Sequence, residues 1–270
     1  MPSTTSLTDL RALAHRLAVA AGEELLVRQR TLSIDAAGVE TKSSASDPVS
    51  AADRASEKLI TDGLIAVRPG DGLLGEEGAF RPSSTGLTWV IDPLDGTVNY
   101  LYGRLDWCVS IAVQDEDGAL AGVVHQPRTG TTWFAIRDHG ARRDDVPLGP
   151  PRETELATAL VSTGFSYLPD RRAEQADHLS RVLPAVRDIR RGGSAALDLC
   201  SVADGTADAY YEHVIQPWDI AAGGLIAHEA GATVLSGLGT PFPHGILAAA
   251  PNLAAALVEL LAPSTPRRSV

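Results

Sequence analysis

The segment Trp89-Val90-Ile91-Asp92-Pro93-Leu94-Asp95-Gly96-Thr97 sets two carboxylates three positions apart across a proline, with a glycine and a hydroxyl directly after. Val90 and Ile91 read as a buried strand, and Asp92 as its last residue. Pro93 removes a backbone donor and fixes φ, so the chain bends there and Asp95 returns beside Asp92. Leu94 can offer its carbonyl oxygen, Gly96 permits close backbone approach, and Thr97 supplies a hydroxyl able to orient a water. Two carboxylates held so near each other repel unless a divalent cation lies between them, so the chemistry suggested is hard-metal binding. Asp, Pro and Gly are also ordinary turn residues, and on these positions alone a plain turn stays open.

Two further acidic places have the same character. Glu76 and Glu77 lie in Leu74-Gly75-Glu76-Glu77-Gly78, after a short apolar run, and Asp219 lies in Gln216-Pro217-Trp218-Asp219-Ile220, at a helix start. Carboxylates at strand ends and in loops on a rigid scaffold are well placed to converge on a cation. Taken singly, the glutamates also suit a solvated loop, and Asp219 suits a cap on the N–H groups of Ala221 or Ala222.

The elements that must position these groups can be read from periodicity. Leu10, Leu13, Leu17, Ala21 and Leu25 recur at helical steps, predicting a helix from Thr8 to about Arg30 with Ser6 or Thr8 as cap. Lys42 to Pro48 reads as a loop or hairpin turn, and a second helix carries Ala55, Leu59, Ile60, Leu64 and Ile65, ending at Pro69-Gly70. Short β-prone runs follow through residue 136, with antiparallel pairing expected between 103 and 136. The second half alternates: strand 160–163, helix 172–187, helix 194–204, strand 208–213, helix 218–230, strand 233–235 and helix 251–262. Stacked α and β layers are the expectation, with no internal repeat. Residues 1–262 read as one domain of two closely packed lobes, about 1–150 and 151–262, with 263–270 a disordered tail.

The 270-residue chain carries a net charge of −11 with a pI near 5.0, a balance that repels nucleic acid and anionic lipid and predicts neither as a partner. The same sign is awkward for anionic phosphates unless bound cations invert the local field. Cys108 and Cys200 sit in apolar runs without metal-ligand spacing, and two buried free thiols in a reducing cytoplasm are expected. With no signal layout and no apolar run near the roughly 20 residues needed to span a bilayer, the chain reads as cytoplasmic.

The stretch Trp89 to Tyr100 resembles the first signature of the inositol monophosphatase family, and Trp218-Asp219-Ile220-Ala221-Ala222-Gly223 through Glu229-Ala230-Gly231-Ala232 resembles the second. Gly75-Glu76-Glu77-Gly78 is similar to the family's glycine–glutamate–glutamate element, and Lys42-Ser43-Ser44 with Asp53 to its N-terminal lysine and aspartate. The order and spacing are family-like from about residue 10 to 262. The resemblance implies a layered α-β-α-β-α sandwich of the α+β class, a homodimer, lithium sensitivity, and two or three Mg2+ ions per site. By position it implies that Glu76, Asp92, the Leu94 carbonyl and Thr97 hold one ion, that Asp92, Asp95 and Asp219 hold a second, and that Glu76 helps hold a third. Thr97 with Asp53 would activate the attacking water, the N–H groups of Gly96 and Thr97 would meet the phosphate, and Lys42 would add positive charge.

The same resemblance assigns Gly193, Ser194, Ala195 and Glu212, with Asp219, to contacts with a phosphorylated polyol. Its departures are Val98 in place of a common threonine, His125-Gln126-Pro127 in place of a frequent aspartate–proline, and Gly192 in place of a bulkier apolar residue. The last is expected to loosen the polyol pocket. The implied activity is hydrolysis of inositol 1-phosphate; histidinol phosphate or fructose 1,6-bisphosphate is the enzymatic alternative, and a partner-binding regulator the alternative of another class.

Overall fold

The computed structural model describes residues 6–30, 40–41, 48–49, 51–237 and 244–262. Lys42 and the tail 263–270 lie outside the described residues. Helix α1, Leu7–Gln29, starts at a capping box in which Ser6 and Asp9 satisfy each other's backbone N–H groups. A two-residue hairpin, β1 (Glu40–Thr41) with β2 (Pro48–Val49), leads to α2, Ala51–Val67.

The large sheet follows, built from β3 (Gly72–Gly75), β4 (Phe80–Arg81), β5 (Thr88–Asp95), β6 (Cys108–Asp115), β7 (Gly118–Gln126), β8 (Thr131–Ile136), β9 (Ala141–Arg143) and β10 (Val146–Pro147). Its order is β10-β9-β8-β7-β6-β5-β3-β4; only β3 and β5 run parallel. The antiparallel run of β6, β7 and β8 matches the expectation for residues 103–136. The one-turn helix α3, Thr97–Leu101, leaves the end of β5.

The second sheet contains β11 (Leu160–Thr163), β12 (Asp188–Arg190), β13 (Ala209–His213), β14 (Thr233–Ser236) and β15 (Gly245–Ala249) in the order β12-β11-β13-β15-β14. Helices α4 (Pro169–Val182), α5 (Ala195–Asp204), α6 (Pro217–Glu229) and α7 (Pro251–Leu261) complete the chain. The helix expected at 172–187 is shifted toward the N-terminus. Pro169 occupies its first turn, where a missing N–H is harmless, and Pro184 stops it. Strands β12 and β15 were not expected; Gly-Ile-Leu-Ala-Ala in β15 is buried at every position and so has no alternating signature.

Three apolar clusters separate the layers. Leu10, Leu25, Ile60, Leu64, Trp89 and Ile111 bind α1 and α2 to one face of the large sheet. Val90, Val124, Leu199, Ile226 and Tyr210 fill the space between its other face, α5 and α6, and the second sheet. Val161, Val182, Leu247, Leu253 and Leu257 pack α4 and α7 on the outside. The result is the five-layer α-β-α-β-α sandwich. Gly122 of β7 lets α6 lie directly on the sheet, since a Cβ there would stand 2.8 Å from the Ala222 Cα. Both cysteines are free and buried, and among the described residues no helix is long and apolar enough to cross a membrane.

Candidate active site

A cavity of about 360 Å3 opens where the end of β5, the turn after β3, and the first turns of α5 and α6 meet. Its wall carries the carboxylates of Glu76, Asp92, Asp95, Asp198, Glu212 and Asp219, and Arg191 as the cation among the described residues. Of the residues expected at a site, Gly96, Thr97, the Leu94 position, Gly193, Ser194 and Ala195 lie on the same wall.

The strand β5 does not end at Asp92 as expected; pairing with β6 continues to Asp95, with a register break between Asp92↔Ser110 and Asp95↔Cys108. Pro93 has no N–H for the ladder, so the chain bulges there and both carboxylates point toward the cavity rather than alternating away. Asp92 Oδ1 accepts the Leu94 N–H at 3.0 Å, which tightens the bulge. Gly96 then adopts φ 90°, a left-handed turn that starts α3, and a Cβ there would stand 2.8 Å from the Asp106 carbonyl oxygen.

One face of α2 holds this loop. Ser56 donates to the Pro93 carbonyl at 2.8 Å, and Thr97 Oγ1 lies 3.4 Å from Asp53 Oδ1 and 3.1 Å from the Leu94 carbonyl oxygen. Glu57 accepts the N–H groups of Glu77 and Ala79 at 2.9 and 3.0 Å, shaping the turn that presents Glu76. Burial raises the Glu57 pKa, and Glu77 and Glu76 add to the rise against these two hydrogen bonds. Residues 53, 56 and 57 follow helical spacing on the buried stripe that continues through Ile60 and Leu64, a signal the sequence held for Ser56 and Glu57.

Asp95 is held from the other side. Its Oδ2 accepts the Ser194 hydroxyl at 2.6 Å and the Ala196 N–H at 2.8 Å, so the first turn of α5 closes on this carboxylate. Ser194, which the resemblance assigns to substrate, lies on the cavity wall; its hydroxyl donates to Asp95 and accepts the Leu197 N–H, as N-cap of α5. Asp219, for which a cap on Ala221 or Ala222 was left open, accepts the Gln216 N–H on its Oδ2 at 2.8 Å. Asn99 joins the two ends of the site, donating to the carbonyls of Asp106 at 2.6 Å and Gly192 at 2.9 Å.

The electrostatics set like charges against one another. Burial raises the pKa of Asp92 well above its ordinary value, and Glu76, Asp95 and Asp219 push it further. Burial lifts Asp95 to about 6 even though Ser194 and Ala196 stabilise its charge. Asp219 is raised by burial, then by Asp95 and Glu76. Among the described residues no three such side chains are closed into a ready metal cage. Like charges held by protein donors do not close on each other unaided, and the all-oxygen, anionic donor set suits Mg2+. Asp92, Asp95 and Asp219 each have one oxygen oriented by a backbone or hydroxyl donor, the outer support that metal ligands need.

At the far end of the cavity, Glu212 accepts the Tyr210 hydroxyl at 2.7 Å; burial lifts it to about 7 despite that bond and the nearby Arg191. The walls there are clipped by Gln175 of α4, which accepts the Ser166 N–H at 2.9 Å and donates to the His213 carbonyl at 2.7 Å. Sequence reasoning missed Gln175 and Asn99 as supports, because their partners lie in distant loops.

The inositol monophosphatase family matches residues 6–265 of the chain. A Mycobacterium tuberculosis protein named inositol-1-monophosphatase SuhB is 44% identical over 271 residues, covering 93% of each chain. A Pasteurella multocida protein named Nus factor SuhB is 36% identical over 228 residues, covering 83% of this chain and 85% of that one. The crystal structure of extragenic suppressor protein suhB from Bartonella henselae superposes with a TM-score of 0.87 at 32% identity, covering 95% of this chain and 99% of that one. With its cavity of facing carboxylates and its five-layer sandwich, the chain belongs to the inositol monophosphatase family and is a phosphoric monoester hydrolase.

Proposed function

We propose that the chain hydrolyses a small polyol phosphate, inositol 1-phosphate first among them, with Mg2+ as cofactor. The observation that carries this reading is the convergence of Glu76, Asp92, Asp95 and Asp219 from separate loops onto one cavity, each raising or feeling the charge of the others. The proposed ligands are Glu76, Asp92, the Leu94 carbonyl, Asp95, Thr97 and Asp219, in two or three sites. Bound there, magnesium supplies Lewis-acid stabilisation of the phosphoryl group and makes water a usable nucleophile near neutral pH.

The chain's own residues do the rest. The Thr97 hydroxyl can orient a water and pass its proton to the Asp53 carboxylate, 3.4 Å away. With the Thr97 proton directed to Asp53, the Leu94 carbonyl oxygen, 3.1 Å from Thr97 Oγ1, keeps its lone pairs for a cation. The N–H groups of Gly96 and Thr97 stand before the first internal bond of α3, from the Tyr100 N–H to the Gly96 carbonyl, and would meet the phosphate. Gly193, Ala195 and Glu212 line the end where the leaving polyol would lie, with Ser194 acting through Asp95. A homodimer, a cytoplasmic location and lithium inhibition are part of this proposal.

The test is phosphate release from inositol 1-phosphate, histidinol phosphate and fructose 1,6-bisphosphate, with magnesium and with chelator. The expected result is magnesium-dependent release with the highest kcat/KM on inositol 1-phosphate; a higher value on either rival would overturn the substrate, and release in chelator the cofactor. The relative named a Nus factor supports a second, partner-binding role. If Asp95→Asn abolishes phosphate release and leaves a cellular phenotype intact, that second role is the one the cell uses.

A further inference from the structure

Gly192 was expected to loosen the pocket wall, and the structure corrects that expectation. A Cβ at residue 192 would stand 2.7 Å from Asp198 Oδ1 and 3.1 Å from its Cγ, so the space a larger residue would fill is occupied by the Asp198 carboxylate. The same arrangement recurs at Gly164, where a Cβ would collide with Glu212 Oε2. Two carboxylates on the cavity wall are thus each seated against a bare backbone.

Asp198 is 7% exposed and lies one turn after Ser194, the N-cap of α5. Burial and the charge of Glu212 both disfavour its ionisation, against a hydrogen bond from Ser162 and the charge of Arg191. Glu212 has one donor of its own, the Tyr210 hydroxyl on its Oε2. Ionised or protonated, each carboxyl has more hydrogen-bonding positions than the single Ser162 or Tyr210 partner named for it fills. Both line the cavity, where hydroxyls of a bound molecule can reach the remaining positions.

We infer that Asp198 is a second substrate-recognition carboxylate, acting with Glu212 to accept hydrogen bonds from two hydroxyls of the leaving polyol, and that Gly192 is what makes room for it. The inference rests on the reading of the cavity as a polyol phosphatase site. It gives this chain a preference for leaving groups with paired hydroxyls over those without.

The test compares kcat/KM for inositol 1-phosphate and for p-nitrophenyl phosphate, whose leaving group has no free hydroxyl, in wild type, Asp198→Asn and Gly192→Ala, all with magnesium. Both variants are expected to lose about tenfold or more on inositol 1-phosphate and to keep their rate on p-nitrophenyl phosphate. Gly192→Ala keeps the Asp198 carboxylate but shifts it, so it carries the test if Asp198→Asn fails to fold. Equal losses on both substrates, or no loss on inositol 1-phosphate, would overturn the inference and leave the polyol reading standing. A wild-type protein active on p-nitrophenyl phosphate alone would overturn both.

Discussion

Asp71 and Asp92 stand near opposite ends of β5 and are equally buried, each 1% exposed, yet the chain surrounds them in opposite ways. Asp71 receives the Arg68 guanidinium at 2.8 and 3.0 Å, the Thr85 hydroxyl at 2.7 Å and the Trp89 indole N–H at 2.9 Å. Burial alone would raise its pKa, but these donors and the Arg68 charge outweigh it, and the pKa lies below the ordinary value. Asp92 has the Leu94 N–H, and the strongest charges upon it are those of three other carboxylates. A buried carboxylate with its full set of donors is a structural fastening. One whose neighbours share its sign is held in a state that an added cation relieves.

The comparison can be broken most directly at Asp92. Asp92→Asn should lower kcat/KM by about 10³-fold, in the range for loss of one preorganised electrostatic group. In chelator the same variant should melt higher than wild type, because a mutually repelling charge is gone. Phosphate release and thermal melts measure the two effects; a variant that loses stability and keeps activity would put Asp92 in the class of Asp71. The converse variant, Asp71→Asn, should cost about 3 kcal/mol of stability by leaving Arg68 without its buried partner. Its kcat/KM, assayed below the lowered melting temperature, should match wild type.

Magnesium then sharpens the contrast. Binding only to the folded state at 100 times its Kd adds about 2.7 kcal/mol, so wild type and Asp71→Asn should both melt higher with the ion. Asp92→Asn should show little of that shift. A magnesium shift of equal size in all three proteins would separate the cation from Asp92.

How much of this was legible in the sequence follows from the range of each interaction. The bend at Pro93 and the turn at Gly96 are local, so Asp92, Asp95 and Thr97 could be grouped from their own segment. Glu76 and Asp219 joined them only through resemblance, because nothing in their own segments distinguishes a ligand from a loop or cap residue. Ser56, Glu57, Asn99 and Gln175 went unread as supports because each satisfies backbone groups of a loop far away in the chain, as Ser56 does for Pro93. Ser194 was assigned to the substrate through resemblance, and its hydrogen bond to Asp95, 99 residues away in the chain, could not be read from its own segment. The layers were readable from alternating elements, but β15 was not, since a strand buried on both faces carries no period.

The smallest expected effect is the response of the metal-free protein to pH, and its sign separates the two kinds of carboxylate. Asp95 is lifted to about 6 and Glu212 to about 7, both first by burial, and Asp92 is raised in the same direction. A carboxyl with a raised folded pKa binds more protons folded than unfolded, so stability falls as pH rises through that value. Lowering the pH of the chelated protein from about 8 to about 5 should therefore stabilise it through these carboxyls. His125, lowered to about 4 by burial, and His15 and His178, lowered in the same direction, oppose them because they bind a proton more readily unfolded. Below the ordinary carboxylate range the trend should reverse, because Asp71 and Asp208 have lowered pKa values and lose their pairs with Arg68 and Arg152 on protonation. With magnesium bound, the first part of the profile should invert, since protons then compete with the cation for the same oxygens. Melting temperatures across that range, with chelator and with magnesium, measure it. If Asp95→Asn and Glu212→Gln leave the chelated profile between about pH 8 and about pH 5 unchanged, the cavity carboxylates are as well partnered as Asp71.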